Sequence, residues 1–326
     1  MNNFEPFNKM SFNEIISQEK AIKLLKGTLR TKKIPSALLF LGDAYIGKTS
    51  TAINYAKALN CLNSEEDACN ICTSCKKIEQ GLHPDVKLVT AEKDVVTVTS
   101  IREVEEFVSF RPLEGRYKVV IIKEAHKMNH AAANAFLKTV EEPPENTVII
   151  LICENIDTLP EPLISRCFKV YFTPLSTQAV KKILPDVEDS LIRIIMGKPG
   201  LFISRDVSKD IQWFNSTLKN MKDKNKKSPW KDNEDVKWWI DFLCIFLRDC
   251  FLEFFLKTSY CPILPSDFKL KENASREELF NLYEEIQNIK RSIDLNLNKS
   301  IVWNYMTYLL GNLITIKKQE TTNLEQ

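Results

Sequence analysis

The chain has 326 residues, 44% hydrophobic and 27% charged, an ordinary globular balance with room for two or three domains. That balance excludes a wholly disordered, collagen-like or fibrous chain. With 45 Lys and Arg against 43 Asp and Glu the net charge is +2, so any contact with nucleic acid or membrane must come from a local patch.

In chain order, Met1 to Pro6 has no basic run leading into an apolar one, so no secretory leader is expected. Ser36 to Leu41 is an apolar run of strand length that ends at Gly42. Lys48 to Asn60 reads as a helix, with Ala52, Ala56 and Leu59 on one face. Asp85 to Thr90 alternates like a strand, and Ile101 to Phe110 has helical spacing. Lys118 to Ile122 and Thr147 to Ile152 are β-branched runs. Between them His130 to Glu142 is a helix, stopped by Pro143-Pro144. Continuous apolar strands separated by helices predict a parallel sheet covered on both faces.

The pattern changes after Pro174. Ser176 to about Asp206 reads as two short helices split near Pro185 and closed by Gly197-Lys-Pro-Gly200. Beyond Val207 strand signals are scarce. Ile211 to Leu218, Val236 to Lys257, Ser275 to Arg291 and Ser300 to Lys317 read as helices, and Ser275 with Glu278 has capping-box spacing. Lys219 to Lys231 holds six Lys against one Asp, either a solvated loop or a phosphate-touching one. The apolar stretch Phe242 to Leu256 is interrupted by Arg248, Asp249 and Glu253 and is too short to span a bilayer. A cytoplasmic protein with no membrane partner is expected.

Three groups of residues carry chemistry. Gly42-Asp43-Ala44-Tyr45-Ile46-Gly47-Lys48-Thr49, with Ser50 after it, fits the phosphate-loop pattern between a predicted strand and a predicted helix. Glycines let such a loop curl so that backbone N–H groups face phosphate oxygens, and the helix N-terminus adds positive potential. Lys48 would reach the β- and γ-phosphates of ATP or ADP, and the Thr49 hydroxyl would bind Mg²⁺. The second group follows the predicted strand ending at Ile122. Lys123 stands where a hydrolysing site places an Mg²⁺-holding Asp, while Glu124 remains for activating water. Two explanations stay open: a site that binds nucleotide but turns it over poorly, or Mg²⁺ recruited through another group. The third is Cys61, Cys69, Cys72 and Cys75. Four cysteines within fifteen residues, with two interlocking C-x-x-C steps, suit a closed structural Zn²⁺ site. His83 is a possible outside ligand, more plainly a loop or packing residue.

A phosphate loop with a four-cysteine insertion just after its helix resembles the bacterial DNA polymerase III clamp-loader subunits, an AAA+ family. Ala132-Ala-Asn134-Ala-Phe-Leu-Lys138-Thr-Val-Glu141-Glu142-Pro143-Pro144 is similar to the family's signature helix and stop. Leu163-Ile-Ser165-Arg166-Cys167 is similar to its Ser-Arg-Cys motif, and Phe12 to Glu19 to its opening segment. Asn296-Leu-Asn298 before a last helix resembles the ending of the delta prime member. The resemblance implies an α/β fold: a P-loop parallel sheet flanked by helices over 1–174, with the zinc module at 61–75. A helical lid would span 175–208, and an all-helical collar for oligomerisation 209–326. It implies five-subunit rings that load a sliding clamp onto primed DNA, with gamma/tau and delta subunits as partners. It implies for Arg166 the role of a finger reaching in trans into a neighbour's nucleotide site.

Within the family, Gly81-Leu-His83-Pro84-Asp85, Gly197-Lys-Pro-Gly200, Lys123 and Cys153-Glu154-Asn155 favour the delta prime type, a scaffold with weak or no hydrolysis. The alternative is a gamma/tau-type motor ATPase using Lys48, Thr49 and Glu124. A homohexameric remodeller of another P-loop class is the third reading. All five tryptophans, Trp213, Trp230, Trp238, Trp239 and Trp303, fall beyond residue 209 and are either interface anchors or helical core.

Overall fold

The computed structural model describes residues 11–91, 95–223, 227–256, 260–271, 274–293 and 298–316. The opening residues 1–10, part of the lysine-rich stretch (224–226) and Asn296-Leu297 lie outside the described residues. The chain divides into two compact units, Met1–Asp186 with Met196–Ile203, and Val187–Ile195 with Ser204–Gln326.

The first unit is built on five parallel strands in the order β2-β3-β4-β1-β5, an AAA+-like arrangement. In chain order its elements are α1 (Glu19–Thr31), β1 (Ala37–Leu41), α2 (Lys48–Leu59), α3 (Thr73–Glu79), β2 (Val86–Val89) and α4 (Val98–Ser109). They continue as β3 (Lys118–Ile122), α5 (His130–Glu141), β4 (Thr147–Cys153), α6 (Glu161–Ser165), β5 (Phe168–Tyr171) and α7 (Thr177–Ile183). Every residue of β1, β3 and β4 is buried, which is why these strands read as unbroken apolar runs. Burying each Val, Leu or Ile there contributes roughly 1.5–3 kcal/mol before the entropy of ordering is subtracted. Strand β5 is a four-residue edge with only Val170 buried, so Phe168-Lys-Val-Tyr171 lacks the continuous burial of the central strands. Helices α4 and α5 start on side-chain caps: Thr97 accepts from Ser100 N–H and Asn129 from Ala132 N–H.

The second unit holds α8 (Asp189–Ile194), α10 (Val207–Met221), α11 (Asn233–Leu256), β6 (Phe268–Leu270), α12 (Arg276–Ser292), α13 (Lys299–Leu313) and β7 (Ile314–Ile316); α9 (Leu201–Ser204) lies at the seam in sequence. The last helix ends at Leu313 rather than running on. Ile314-Thr-Ile316 is β-branched and pairs antiparallel with Phe268–Leu270. The capping box at Ser275 and Glu278 has both of its hydrogen bonds. Trp230, Trp239 and Trp303 pack together with centroids 5.4 and 5.3 Å apart, each at most 5% exposed, so these three serve the core of this unit. Asp249, inside the apolar stretch, is buried because it accepts from the N–H groups of Ile263 and Leu264 and from Tyr260 Oη. Among the described residues no helix is long and apolar enough to cross a membrane.

Candidate nucleotide site and four-cysteine centre

The phosphate loop joins the carboxyl end of β1 to the first turn of α2. Gly42 has φ +143°, and a Cβ there would lie 2.5 Å from the carbonyl oxygen of Phe172, so only glycine fits. Gly47 caps α2 at φ +95° without a side-chain hydrogen bond, leaving first-turn N–H groups directed into the loop. Lys48 is 5% exposed, and its Nζ donates to the carbonyls of Gly42, at 2.5 Å, and Asp43. Burial pushes the Lys48 ammonium below its usual range, opposed chiefly by the carboxylates of Glu154 and Asp43. Ile46 and Ser50 are buried, Ala44 and Thr49 are half-buried, and Tyr45 is exposed with φ 63°.

Two contacts hold this loop from outside. Gln18 is buried and donates from Nε2 to the carbonyls of Thr173 (2.8 Å) and Ile46 (3.4 Å). The 196–203 segment pairs Lys198 with Asp43 at 3.1 Å and donates Gly200 N–H to Tyr45 O at 3.1 Å. Lys198 was legible only as part of a glycine-proline turn. Its partner is distant in sequence, and no local pattern announces the pair.

The ends of β3 and β4 lie beside the loop, since Leu41 is in register with Cys153 and Ile122 with Leu151. Lys123 continues β3 with its N–H on Val89 O. Glu124 has φ 51°, and its Oε1 is 2.7 Å from Lys127 Nζ. The ligand atoms of Glu124, His126 and Glu154 fall within 4.8 Å of one another. Glu154, at the end of β4, is the carboxylate that acts most strongly on Lys48. In the sequence it stands out only as part of Cys153-Glu154-Asn155. Cys153 beneath it is fully buried, and burial pushes its thiol up to about 12. Lys123 offers no oxygen ligand; the carboxylates that act on Lys48 are those of Glu154 and Asp43, with Glu124 beside Glu154.

Arg166 closes α6. Its guanidinium pairs with Glu141 at 2.8 Å and donates to Pro162 O at 2.8 Å; its side chain is 41% exposed. These partners lie on α5 and α6 rather than on the chain's own phosphate loop.

The Sγ atoms of Cys61, Cys69, Cys72 and Cys75 lie within 4.8 Å of one another. A tetrahedral ion with Zn–S near ~2.3 Å needs sulfurs about 3.8 Å apart, so the cluster is compatible with a structural zinc after small shifts. The Cys72 N–H donates to Cys69 Sγ and the Cys75 N–H to Cys72 Sγ, each at 3.4 Å, as thiolate ligands require. Burial opposes ionisation of Cys69. The N–H groups of Ile71 and Cys72 and the neighbouring thiols outweigh it and bring Cys69 to about 6. Burial pushes Cys75 up. His83 stands apart from the cluster: it is buried, with Nε2 on Ser74 Oγ at 3.2 Å and Nδ1 accepting from Asp85 N–H at 3.1 Å.

The family described as "DNA polymerase III, delta subunit" matches residues 17–176. DNA polymerase III subunit tau of Bacillus subtilis is 38% identical over 178 residues, 54% of this chain and 31% of that protein. Subunit delta′ of the same organism is 34% identical over 180 residues, 55% of each. Subunit gamma of Buchnera aphidicola is 35% identical over 174 residues, 53% of this chain and 48% of that protein. The chain thus spans about half or less of the length of these curated relatives. Among solved structures, a gamma subunit-related protein of Thermotoga maritima superposes with TM-score 0.47 at 18% identity, covering 90% of this chain and 98% of its own. A similarity of that degree carries no functional weight. Through residues 17–176, the sheet and the phosphate loop, the chain is thus similar to the delta, delta prime, gamma and tau subunits of DNA polymerase III.

Proposed function

We propose that the chain is a delta prime-type subunit of a DNA polymerase III clamp loader. It would stand in a ring with gamma/tau and delta partners, help to load the sliding clamp onto primed DNA, and hold a structural zinc at its four cysteines. Its own site binds ATP or ADP with Mg²⁺ and turns it over weakly or not at all. The observation that carries this reading is a complete phosphate loop beside Lys123 at the end of β3. An ammonium at that point repels a divalent ion where the reaction needs one.

The chain's residues define the steps. Lys48 exchanges the carbonyls of Gly42 and Asp43 for phosphate oxygens, and the first N–H groups of α2 add to the cradle. Glu124, the water-activating candidate, is engaged by Lys127, which draws its charge away from an attacking water. Arg166, exposed and paired with Glu141, would reach into a neighbouring subunit's nucleotide site. A finger of this kind is worth about 10³–10⁵ in rate.

A motor-type ATPase is the second reading, favoured by Glu154, whose carboxylate lies near Lys48 and within 4.8 Å of Glu124. Turnover by the purified chain with Mg²⁺, measured beside Lys48→Ala, separates the two. The delta prime reading expects no turnover above that of the variant. It also expects the rate of the reconstituted complex to fall about 10³-fold with Arg166→Ala. Turnover abolished by Lys48→Ala means that Lys123 has not disabled the site and that the chain is a motor subunit or an active delta prime, and an unchanged complex rate with Arg166→Ala removes the trans role.

A further inference from the structure

The side chain of Lys57, in the last turn of α2, is 0% exposed. A buried ammonium is costly unless its surroundings return the lost hydration. Lys57 Nζ donates to Asn70 Oδ1 at 3.2 Å and lies 3.6 Å from Glu79 Oε2, whose side chain is 19% exposed. Asn70 sits between Cys69 and Cys72 with φ 59°, a left-handed conformation that asparagine tolerates. Its backbone N–H bonds to Cys75, which is itself within Coulombic reach of Lys57. One buried cation therefore grips the turn that presents the thiols, from a helix that contributes none of them.

We propose that Lys57 is a positioning residue for the four-cysteine metal centre, fixing the Cys69–Cys72 turn through Asn70 and offsetting the centre's negative charge. The inference rests on the reading of the cysteines as a zinc site. Four thiolates around one divalent ion leave two negative charges in a buried module. In the metal-free chain Glu79 balances Lys57. In the loaded chain the centre balances it, and Glu79 becomes surplus negative charge. The two residues therefore act on metal affinity in opposite directions. A purely structural ion pair would make both replacements harmful.

The test is competition for Zn²⁺ between the purified full chain and a chelator of known affinity, for the parent, Lys57→Met and Glu79→Gln, with folding followed by circular dichroism. Lys57→Met is expected to weaken zinc binding about ten- to a hundredfold, the range for residues that support a metal's ligands. Glu79→Gln is expected to tighten it severalfold. A change under threefold with Lys57→Met, or a loss with Glu79→Gln, overturns the inference while leaving the zinc reading intact. A parent chain that takes up no zinc overturns both. Should Lys57→Met fail to fold, the sign of the Glu79→Gln effect decides alone.

Discussion

Helix α2 buries a lysine near each end, and the two are held in different ways. Lys48 bonds to backbone carbonyls five and six residues before it, so its setting is a property of the loop itself. Lys57 bonds to a side chain 13 residues on and pairs with Glu79 on the next helix, so its setting exists only once the cysteine insertion has folded. The first kind of site is local and tolerates changes elsewhere. The second depends on long-range contacts with the cysteine insertion.

The strongest challenge to this contrast is metal removal. Cys72→Ser, or chelation of the parent, is expected to lower zinc from about one per chain to near none and to cost roughly 3 kcal/mol or more. Hydrogen exchange should rise across 61–80 and stay unchanged across 37–56. A collapse of both regions would show that the ends of α2 are not independent. Next in size is Lys48→Ala, expected to weaken nucleotide binding about a hundredfold while leaving zinc content untouched, measured by titration with a labelled nucleotide. A loss of zinc in that variant would break the contrast from the other side.

Asp85 and His83 sharpen the description of the cysteine end, because they close the segment that follows it. Asp85 is fully buried and accepts from the N–H groups of Leu113, Glu114 and Gly115 at 2.8, 2.8 and 2.7 Å. Asp85→Asn, which removes one of these acceptor oxygens, should cost about 1–3 kcal/mol in denaturant unfolding. Burial works against the Asp85 carboxylate, but the three N–H bonds hold it below its usual range. Its contribution is therefore present above the unfolded value near pH ~3.9 and is lost as pH falls through the lower folded value. The variant should lack that acid limb.

The smallest effect belongs to His83, which burial holds below its usual range against the pull of Asp85 and Glu114. As pH falls below ~6.5 the unfolded chain takes up the proton first, so stability declines from there toward the folded value. The slope is at most about 1.4 kcal/mol per pH unit, and His83→Gln should flatten it. A slope unchanged in His83→Gln would assign the decline to another group.

Residues whose role is set by near neighbours in the chain were the legible ones. Gly42, Gly47 and Lys48 announce a phosphate loop because its curl is a short-range backbone requirement. Ile149 and Ile150 announce a central strand because both faces of the sheet are covered. Residues whose role is set by distant neighbours were not. Strand β5 is only four residues long, lies at an exposed edge, and has its apolar residues interrupted by Lys169. Ile314–Ile316 leaves the helical pattern only because Phe268–Leu270 is there to pair with it. Glu154, Lys198 and Lys57 are ordinary charged residues until folding brings Lys48, Asp43 and the cysteine turn beside them.

The amino-acid sequence alone thus determined the parallel α/β core, the phosphate loop, a lysine rather than an acidic residue at position 123 and the four-cysteine set. Each of these is written in residue type and spacing over a few turns of chain. Tertiary structure alone decided which carboxylates stand near Lys48, where Arg166 rests and what surrounds Lys57. Those are questions of Coulombic distance and burial, and such quantities exist only between segments that the folded sheet has brought together.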